Sequence, residues 1–226
     1  MANSHSVRPE LAQLVLHDLR SGDAEARAAF LKEFGDAEIQ FAQATSAALG
    51  VWSDFFDTVD RNNESKGVVS AVAFTALNHN ISSFKLFMSG YTVASGSLFR
   101  QVLEGISLAL LCSAKSLTVR ERFMKDSYSA NNAVSDLAKH SKIIQVNADA
   151  VKTLQFAYKF YHKYAHLSKL TIAAGANFSL GGVPNVGAYF DPAKVREYRK
   201  EIKSRVSLAR VLPNIMTLVA KNASSL

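Results

Sequence analysis

The sequence contains a single cysteine, Cys112, among its 226 residues. One thiol cannot form an intrachain disulfide or a structural zinc cluster, and a lone cysteine fits a reducing compartment, where it acts as a small apolar side chain. The first ten residues also lack the apolar stretch of a secretory signal. From these two absences we expect a cytoplasmic protein.

Proline and glycine are scarce, with four and eleven residues respectively. This scarcity argues against long low-complexity or disordered segments, and no linker or internal repeat divides the chain. With 48% hydrophobic residues, a chain of this length can bury a large core. The apolar-rich run 67–84 is interrupted by Asn78, His79 and Asn80, which favours a core helix over a membrane span. We therefore predict one domain, residues 1–226, without membrane contact.

Several motifs of common enzyme and cofactor sites are absent. The sequence contains no G-x-G-x-x-G dinucleotide fingerprint, no G-x-x-x-x-G-K-[ST] phosphate loop and no G-x-S-x-G nucleophile elbow. These absences exclude the commonest nucleotide-binding and α/β-hydrolase sites. We accordingly assign no cofactor.

Charge is distributed unevenly along the chain, whose net charge is +7. Residues 1–60 contain four basic and ten acidic side chains, residues 61–190 contain fourteen and six, and residues 191–226 contain eight and three. The acidic and basic parts could attract each other within one fold. They could equally present a basic face to an anionic partner such as RNA.

Apolar residues recur at helical spacing along almost the whole chain, which predicts an all-α bundle of six or seven helices. Residues 175–190 break this pattern with four glycines and a proline, so we expect an irregular loop or a small β-hairpin there. The predicted parts are the acidic N-terminal helices (1–66), the central bundle (67–170), the loop or hairpin (171–190) and the basic C-terminal helix (191–222).

Capping patterns locate two of the central helices. Thr118 with Glu121 three residues later predicts a capping box for a helix that runs to about His140. Asn147 predicts the start of another helix, which we expect to run to about Ser168.

The most apolar helix, residues 97–114, contains two charged residues. Between Lys85 and Lys115 only Arg100 and Glu104 are charged, and they lie one helical turn apart. A helix that is apolar nearly all round is a buried one, and ionised side chains are rarely buried unless they are paired. Two interpretations follow: a structural ion pair, which we favour, or a polar site in which Arg100 holds an anionic group and Glu104 acts as acid/base, metal ligand or orienting group.

Two histidines, His162 and His166, are four residues apart and would share one face of the predicted helix. That spacing suits two metal ligands, but residues 163–165 lack the glutamate of an H-E-x-x-H site. An apolar arc lies opposite the two histidines. We therefore expect surface or partly covered histidines, rank a catalytic or anion-binding role second, and assign no metal.

A further polar group, Asn78-His79-Asn80, interrupts the helix that precedes the one bearing Arg100. Three adjacent residues on a helix point in different directions, so at least one should face inward. Because the neighbouring antiparallel helix bears Arg100, we add His79 to the candidate binding residues.

Two short runs resemble a bacterial family of all-helical domains of unknown function. They are Leu-Phe-Arg-Gln-Val-Leu-Glu at residues 98–104 and Tyr-Ala-His-Leu-Ser at residues 164–168, and the resemblance covers about residues 68–170. A more remote similarity is to HEPN-type bundles, many of which are ribonucleases, although the Arg-to-His motif of those enzymes is absent from this sequence. The family resemblance implies functional roles for Arg100, Glu104, His166 and Ser168.

The sequence thus leads to a binding or regulatory domain with a polar pocket inside the bundle. An alternative is a hydrolase or ribonuclease-like enzyme with His166 as general acid/base, Arg100 stabilising a phosphate and Glu104 beside it. A third is nucleic-acid binding through the basic helix at residues 194–210. An anionic ligand, RNA and a second copy of the chain all stay open as partners. The candidate binding residues are Arg100, Glu104, His79, His162, His166 and Ser168.

Overall fold

Helices form most of the regular structure in residues 9–226, which are the residues that the computed structural model describes, apart from the side chain of Ser21. The prediction of an all-α fold with a small hairpin is confirmed. Our expectation about a secretory signal concerns mainly residues 1–8, which lie outside the described part. The described helices are α1 (Pro9–Ser21), α2 (Ala24–Asp57), α3 (Glu64–Met88), α4 (Thr92–Ser113), α5 (Val119–Met124), α6 (Ala133–Ile144), α7 (Ala148–His162), α8 (Lys169–Ala174) and α9 (Val195–Ala223). Seven of these nine helices have twelve residues or more, and α5 and α8 have six each.

The antiparallel pair α3–α4 occupies the centre of the bundle. The connection between them is short because Gly90 adopts a left-handed backbone, with φ of 86°. Within the pair Gly105 packs closely on Ala76, since a Cβ at Gly105 would lie 3.0 Å from the Cβ of Ala76. Fourteen of the 22 residues of α4 are buried, as its composition predicts.

Helices α2 and α9 pack against this pair and enclose a second, aromatic part of the core. Phe41 and Phe84 stack with ring centroids 3.9 Å apart, and Phe30 lies 4.9 Å from Tyr198. Helix α2 has a kink at Phe34, where φ is −136° and ψ is 17°.

The segment from Thr118 to His140 does not form the one helix that the capping pattern predicts. Helix α5 ends at Met124, the Thr118 side chain caps no backbone group, and α6 starts only at Ala133. The polar residues after α5 form a turn in which Asp126 is left-handed, with φ of 53°. Inside this turn the ring of Tyr128 is buried and its hydroxyl donates to Asp136 at 2.9 Å, which anchors the break.

The Asn147 cap is confirmed, since its side chain accepts hydrogen bonds from the backbone N–H groups of the next turn. Helix α7, however, ends at His162 and not near Ser168. Ser168 is instead the N-cap of α8: its Oγ accepts from the Thr171 N–H at 3.2 Å and donates to the Lys163 carbonyl at 2.9 Å. A residue that caps one helix cannot continue the preceding one.

The insertion after α8 is a two-stranded antiparallel hairpin of β1 (Ala176–Asn177) and β2 (Val183–Pro184). Its anchor is the buried carboxylate of Asp191, which accepts hydrogen bonds from the Phe178 N–H at 2.7 Å and the Ser179 N–H at 3.3 Å. The same carboxylate accepts from the Ala193 N–H at 3.0 Å and so caps the single turn before α9. One side chain therefore fixes the hairpin to the start of the last helix.

Asp191 should make a pH-dependent contribution to stability. Burial acts to raise the pKa of its carboxyl, but the hydrogen bonds from Ser179, Phe178 and Ala193 outweigh burial and lower it. A lowered pKa in the folded state stabilises the fold above the ordinary value of about 3.9, and this contribution is lost as pH falls through the lowered pKa. We expect Asp191→Asn to reduce the free energy of unfolding by about 2 kcal/mol at pH 7 in urea titrations.

The difference between wild type and Asp191→Asn should shrink as the pH is lowered below 4, because the wild-type carboxyl is then protonated as well. Asp54→Asn, at an exposed position of α2, is the matched control and should change stability little at any pH. A deficit of Asp191→Asn that is the same at every pH would contradict this account.

Candidate functional site: an ion pair and an apolar groove

The ion pair on α4 forms as expected and includes a third residue. Arg100 donates to Glu104 Oε1 from Nε at 2.9 Å and from its Nη2 atom at 2.8 Å, and the two side chains are 17% and 10% exposed. The Tyr158 hydroxyl, on α7, donates to the same Oε1 at 3.0 Å. The guanidinium carbon also lies 5.6 Å from the centre of the Tyr158 ring. The pair therefore joins α4 to α7.

The protonation states of this trio follow from its contacts. Burial acts to lower the pKa of the Arg100 guanidinium, but the charge and hydrogen bonds of Glu104 outweigh burial and raise it. Burial, and then the hydrogen bond to Glu104, raise the pKa of Tyr158. At neutral pH Arg100 is thus a cation and Tyr158 a neutral hydrogen-bond donor.

The rings of His162 and His166 lie next to one another beside Tyr158, on the side of the ion pair that faces solvent. The His162 ring centroid lies 6.1 Å from that of Tyr158, and the His166 ring centroid lies 4.7 Å from that of His162. Both histidines are exposed, as we expected. Although α7 ends at His162, the following turn returns His166 to its neighbour. Within residues 9–226 no hydrogen bond orients either imidazole.

Two of the predicted site residues lie apart from this group. His79 is half-buried on α3, and no hydrogen bond or ring contact of the described residues joins it to Arg100 or Glu104. The inward residue of its polar triplet is Asn80, which is fully buried, and its side-chain amide has no hydrogen-bond partner among residues 9–226. Ser168 serves as the cap of α8.

The buried arginine Arg205 on α9 was not predicted from the sequence. Its side chain is 1% exposed and donates to Ser83 Oγ at 2.5 Å. Its guanidinium lies 4.5 Å from the ring centre of Phe99 and 5.8 Å from that of Tyr161. Glu201 Oε2 is 3.9 Å from Nε and accepts from the Tyr161 hydroxyl at 2.6 Å. The sequence does contain an indication, since Arg205 falls on the stripe of buried residues of α9.

An apolar groove of about 670 Å³ lies between α7 and α9. Side chains of α4 form its floor, and side chains of α7 and α9 form its walls. The lining includes Phe99, Leu103 and Leu110 on α4, Leu154, Phe156, Ala157 and Phe160 on α7, and Leu208, Val211 and Ile215 on α9. The sequence does not reveal this groove, because the apolar face of α7 has the pattern of an ordinary buried helix face.

Helices α7 and α9 are antiparallel, and α9 makes hydrogen bonds at both ends of the groove, to α7 at one end and to the end of α6 at the other. At one end the Tyr161 hydroxyl donates to Glu201. At the other end Lys221 donates to the Gln145 side chain at 3.2 Å and Asn222 donates to the Ile144 carbonyl at 3.3 Å. Between these contacts the two helices leave the groove, whose lining on α9 extends from Lys203 to Leu218, or about 22 Å at the rise of an α-helix.

The basic charges of α9 are only partly available to a partner. Arg196 and Lys200 both pair with Glu197, Arg210 donates to Gln40 at 2.8 Å, and Arg205 is buried. A continuous basic stripe, which nucleic-acid binding through this helix would need, is therefore interrupted. Within residues 9–226 no three His, Cys, Asp or Glu side chains are placed to hold a metal ion. No helix in that range has the length and apolarity to cross a membrane.

The fold and the groove together define an all-α domain with an open apolar cavity. Comparison of the chain with protein-family models, with curated proteins and with solved structures gives no match. The resemblance to an all-helical bacterial family and to HEPN-type bundles therefore stays a prediction. Function has to be argued from the site itself.

The contacts of the ion pair predict unequal effects of single and double substitution. Arg100→Met alone should lower the free energy of unfolding by about 3 kcal/mol, because it leaves the charge of Glu104 largely buried without its cation. Arg100→Met with Glu104→Leu should recover most of that loss. Urea unfolding of both variants measures the difference, with Arg61→Met at an exposed position as the control. Equal losses in the single and double variants would show that the loss does not come from the unpaired charge of Glu104.

Proposed function

We propose that this protein is a binding or regulatory domain whose ligand is a small, largely apolar molecule held in the groove between α7 and α9. The groove itself is the observation that carries the proposal. Its volume of about 670 Å³ lies within the roughly 300–1,000 Å³ of small-molecule sites. Its lining is mostly aliphatic and aromatic with a few polar side chains, which is the usual composition of such sites.

An unfilled groove of this kind has a cost in stability. Protein interiors are close-packed, yet Phe156 and Val211 on the groove walls are 78% and 48% exposed. Each such side chain forgoes on the order of 1 kcal/mol of burial free energy. An apolar ligand that covers them would recover this free energy, which supports binding in the groove.

The enzyme alternative has weaker support. A general acid/base needs a group that orients it, and neither His166 nor His162 is hydrogen-bonded within the described residues. Arg100 is already bonded to Glu104 and is not free to bind a phosphate without breaking that pair. We therefore assign Arg100 and Glu104 a structural role in holding α7, and we place binding ahead of hydrolysis or RNA cleavage.

The proposal includes a reducing compartment such as the cytoplasm. Its support is Cys112, which is fully buried on α4, and burial raises the pKa of this thiol to about 12. A buried thiol with a raised pKa is chemically inert and acts as a core side chain.

Binding of the neutral apolar dye Nile red tests the proposal directly. We expect saturable dye fluorescence with one site per chain. Ser207→Trp, an exposed lining position on α9, should weaken dye binding at least tenfold, or about 1.4 kcal/mol, because the indole would occupy part of the groove.

Ser53→Trp makes the same change at an exposed position of α2, away from the groove, and should leave dye affinity unchanged. Circular dichroism would establish that both variants are folded. Equal dye affinity in wild type and Ser207→Trp would refute the assignment of the groove as the binding site.

A further inference from the structure

We infer that the ligand of this groove is an anionic amphiphile, with a long apolar chain along the groove and a carboxylate or similar anionic headgroup at Lys203. The inference rests on the proposed function and adds the chemical class and orientation of the ligand. Three features of the groove support it: its charge, the state of the neighbouring charges, and its shape.

The lining of the groove contains positive charge and no negative charge. Among the described residues that line the groove, Lys203 is the one with a formal charge, and none is Asp or Glu. Lys203 is exposed, and no carboxylate of residues 9–226 pairs with it. Its ammonium group is therefore free to bind an anion, whereas the hydroxyl of Ser204, the next lining residue, already donates to the Lys200 carbonyl at 3.1 Å.

The nearest acidic residue in sequence, Glu201, is already occupied. It accepts the hydrogen bond of Tyr161, and the buried guanidinium of Arg205 lies 3.9 Å away. Its charge is thus balanced within the protein, and the charge of Lys203 is left uncompensated. The end of the groove at Tyr161 is consequently positive and attracts an anionic headgroup.

The remainder of the groove suits a hydrocarbon chain. From Lys203 the lining continues for about 22 Å along α9 as far as Leu218, and its floor consists of Phe99, Leu103 and Leu110. The far end is lined by the neutral side chains of Gln145 and Asn147. A ligand with one charged end and a long apolar body matches this arrangement, whereas a molecule with charges along its length does not.

Competition with Nile red by three amphiphiles of equal chain length tests the inference: dodecanoate and dodecyltrimethylammonium below their micelle concentrations, and dodecanol below its solubility limit. We expect dodecanoate to displace the dye at a concentration at least fivefold lower than dodecanol, and the cation to be the weakest. Lys203→Gln should abolish the preference for dodecanoate, and Lys32→Gln, at an exposed position of α2, should retain it.

The outcomes separate this inference from the proposed function. Equal displacement by dodecanoate and dodecanol, with dye binding still sensitive to Ser207→Trp, would overturn the anionic headgroup and keep the groove as an apolar site. An absence of dye binding would overturn both. A concentration-dependent dimer that excludes the dye, and that Ser207→Trp dissociates, would show that a second copy of the chain occupies the groove and would overturn the inference.

Discussion

The burial of α4 is the constraint on which the rest of the fold depends. A helix with so little polar surface must be covered on every side, and α3, α6, α7 and α9 together cover it. Its one polar strip, at Arg100 and Glu104, has to meet a neighbour that satisfies a carboxylate, and Tyr158 of α7 does so. The hydrogen bond between Tyr158 and Glu104 thus holds α7 against α4. In this position the apolar side of α7 does not pack fully against α9, and the groove lies between them.

Arg100 and Arg205 are stabilised by different means. Arg100 has a bonded carboxylate and keeps some contact with solvent. Arg205 has Ser83 and the faces of Phe87 and Phe99, and its Nε has no hydrogen-bond partner in the described chain. Aromatic faces compensate a desolvated cation only in part, and Glu201 at 3.9 Å supplies the remainder electrostatically. Arg100 and Glu104 on α4 therefore balance each other's charge. The charge of Arg205 is instead stabilised by side chains of α3, α4, α7 and α9.

The sequence predicts the features that are encoded locally. Helical periodicity, the Asn147 cap, the glycine-rich hairpin and the charge pair on α4 each depend on residues within a few positions of one another. The break after α5 was missed because a local capping pattern suggests a helix start and contains no information on where the helix ends. Tyr158 and Arg205 were missed for another reason: their partners Glu104 and Ser83 are 54 and 122 residues distant. The groove depends on how far α7 stands from α9, which only tertiary packing determines.

The sparse burial of α7 gives the bundle two levels of local stability. Only Val151 and Tyr161 of its fifteen residues are buried, compared with fourteen residues of α4. Elements with few buried contacts open at lower free energy than the whole domain, so we expect amide hydrogens of α7 to exchange through local opening and those of α4 through global unfolding. A molecule in the groove would contact α4, α7 and α9, and of these three helices α7 has the fewest buried residues. Ligand binding should therefore slow amide exchange more in α7 than in α4, whose buried core already protects its amides.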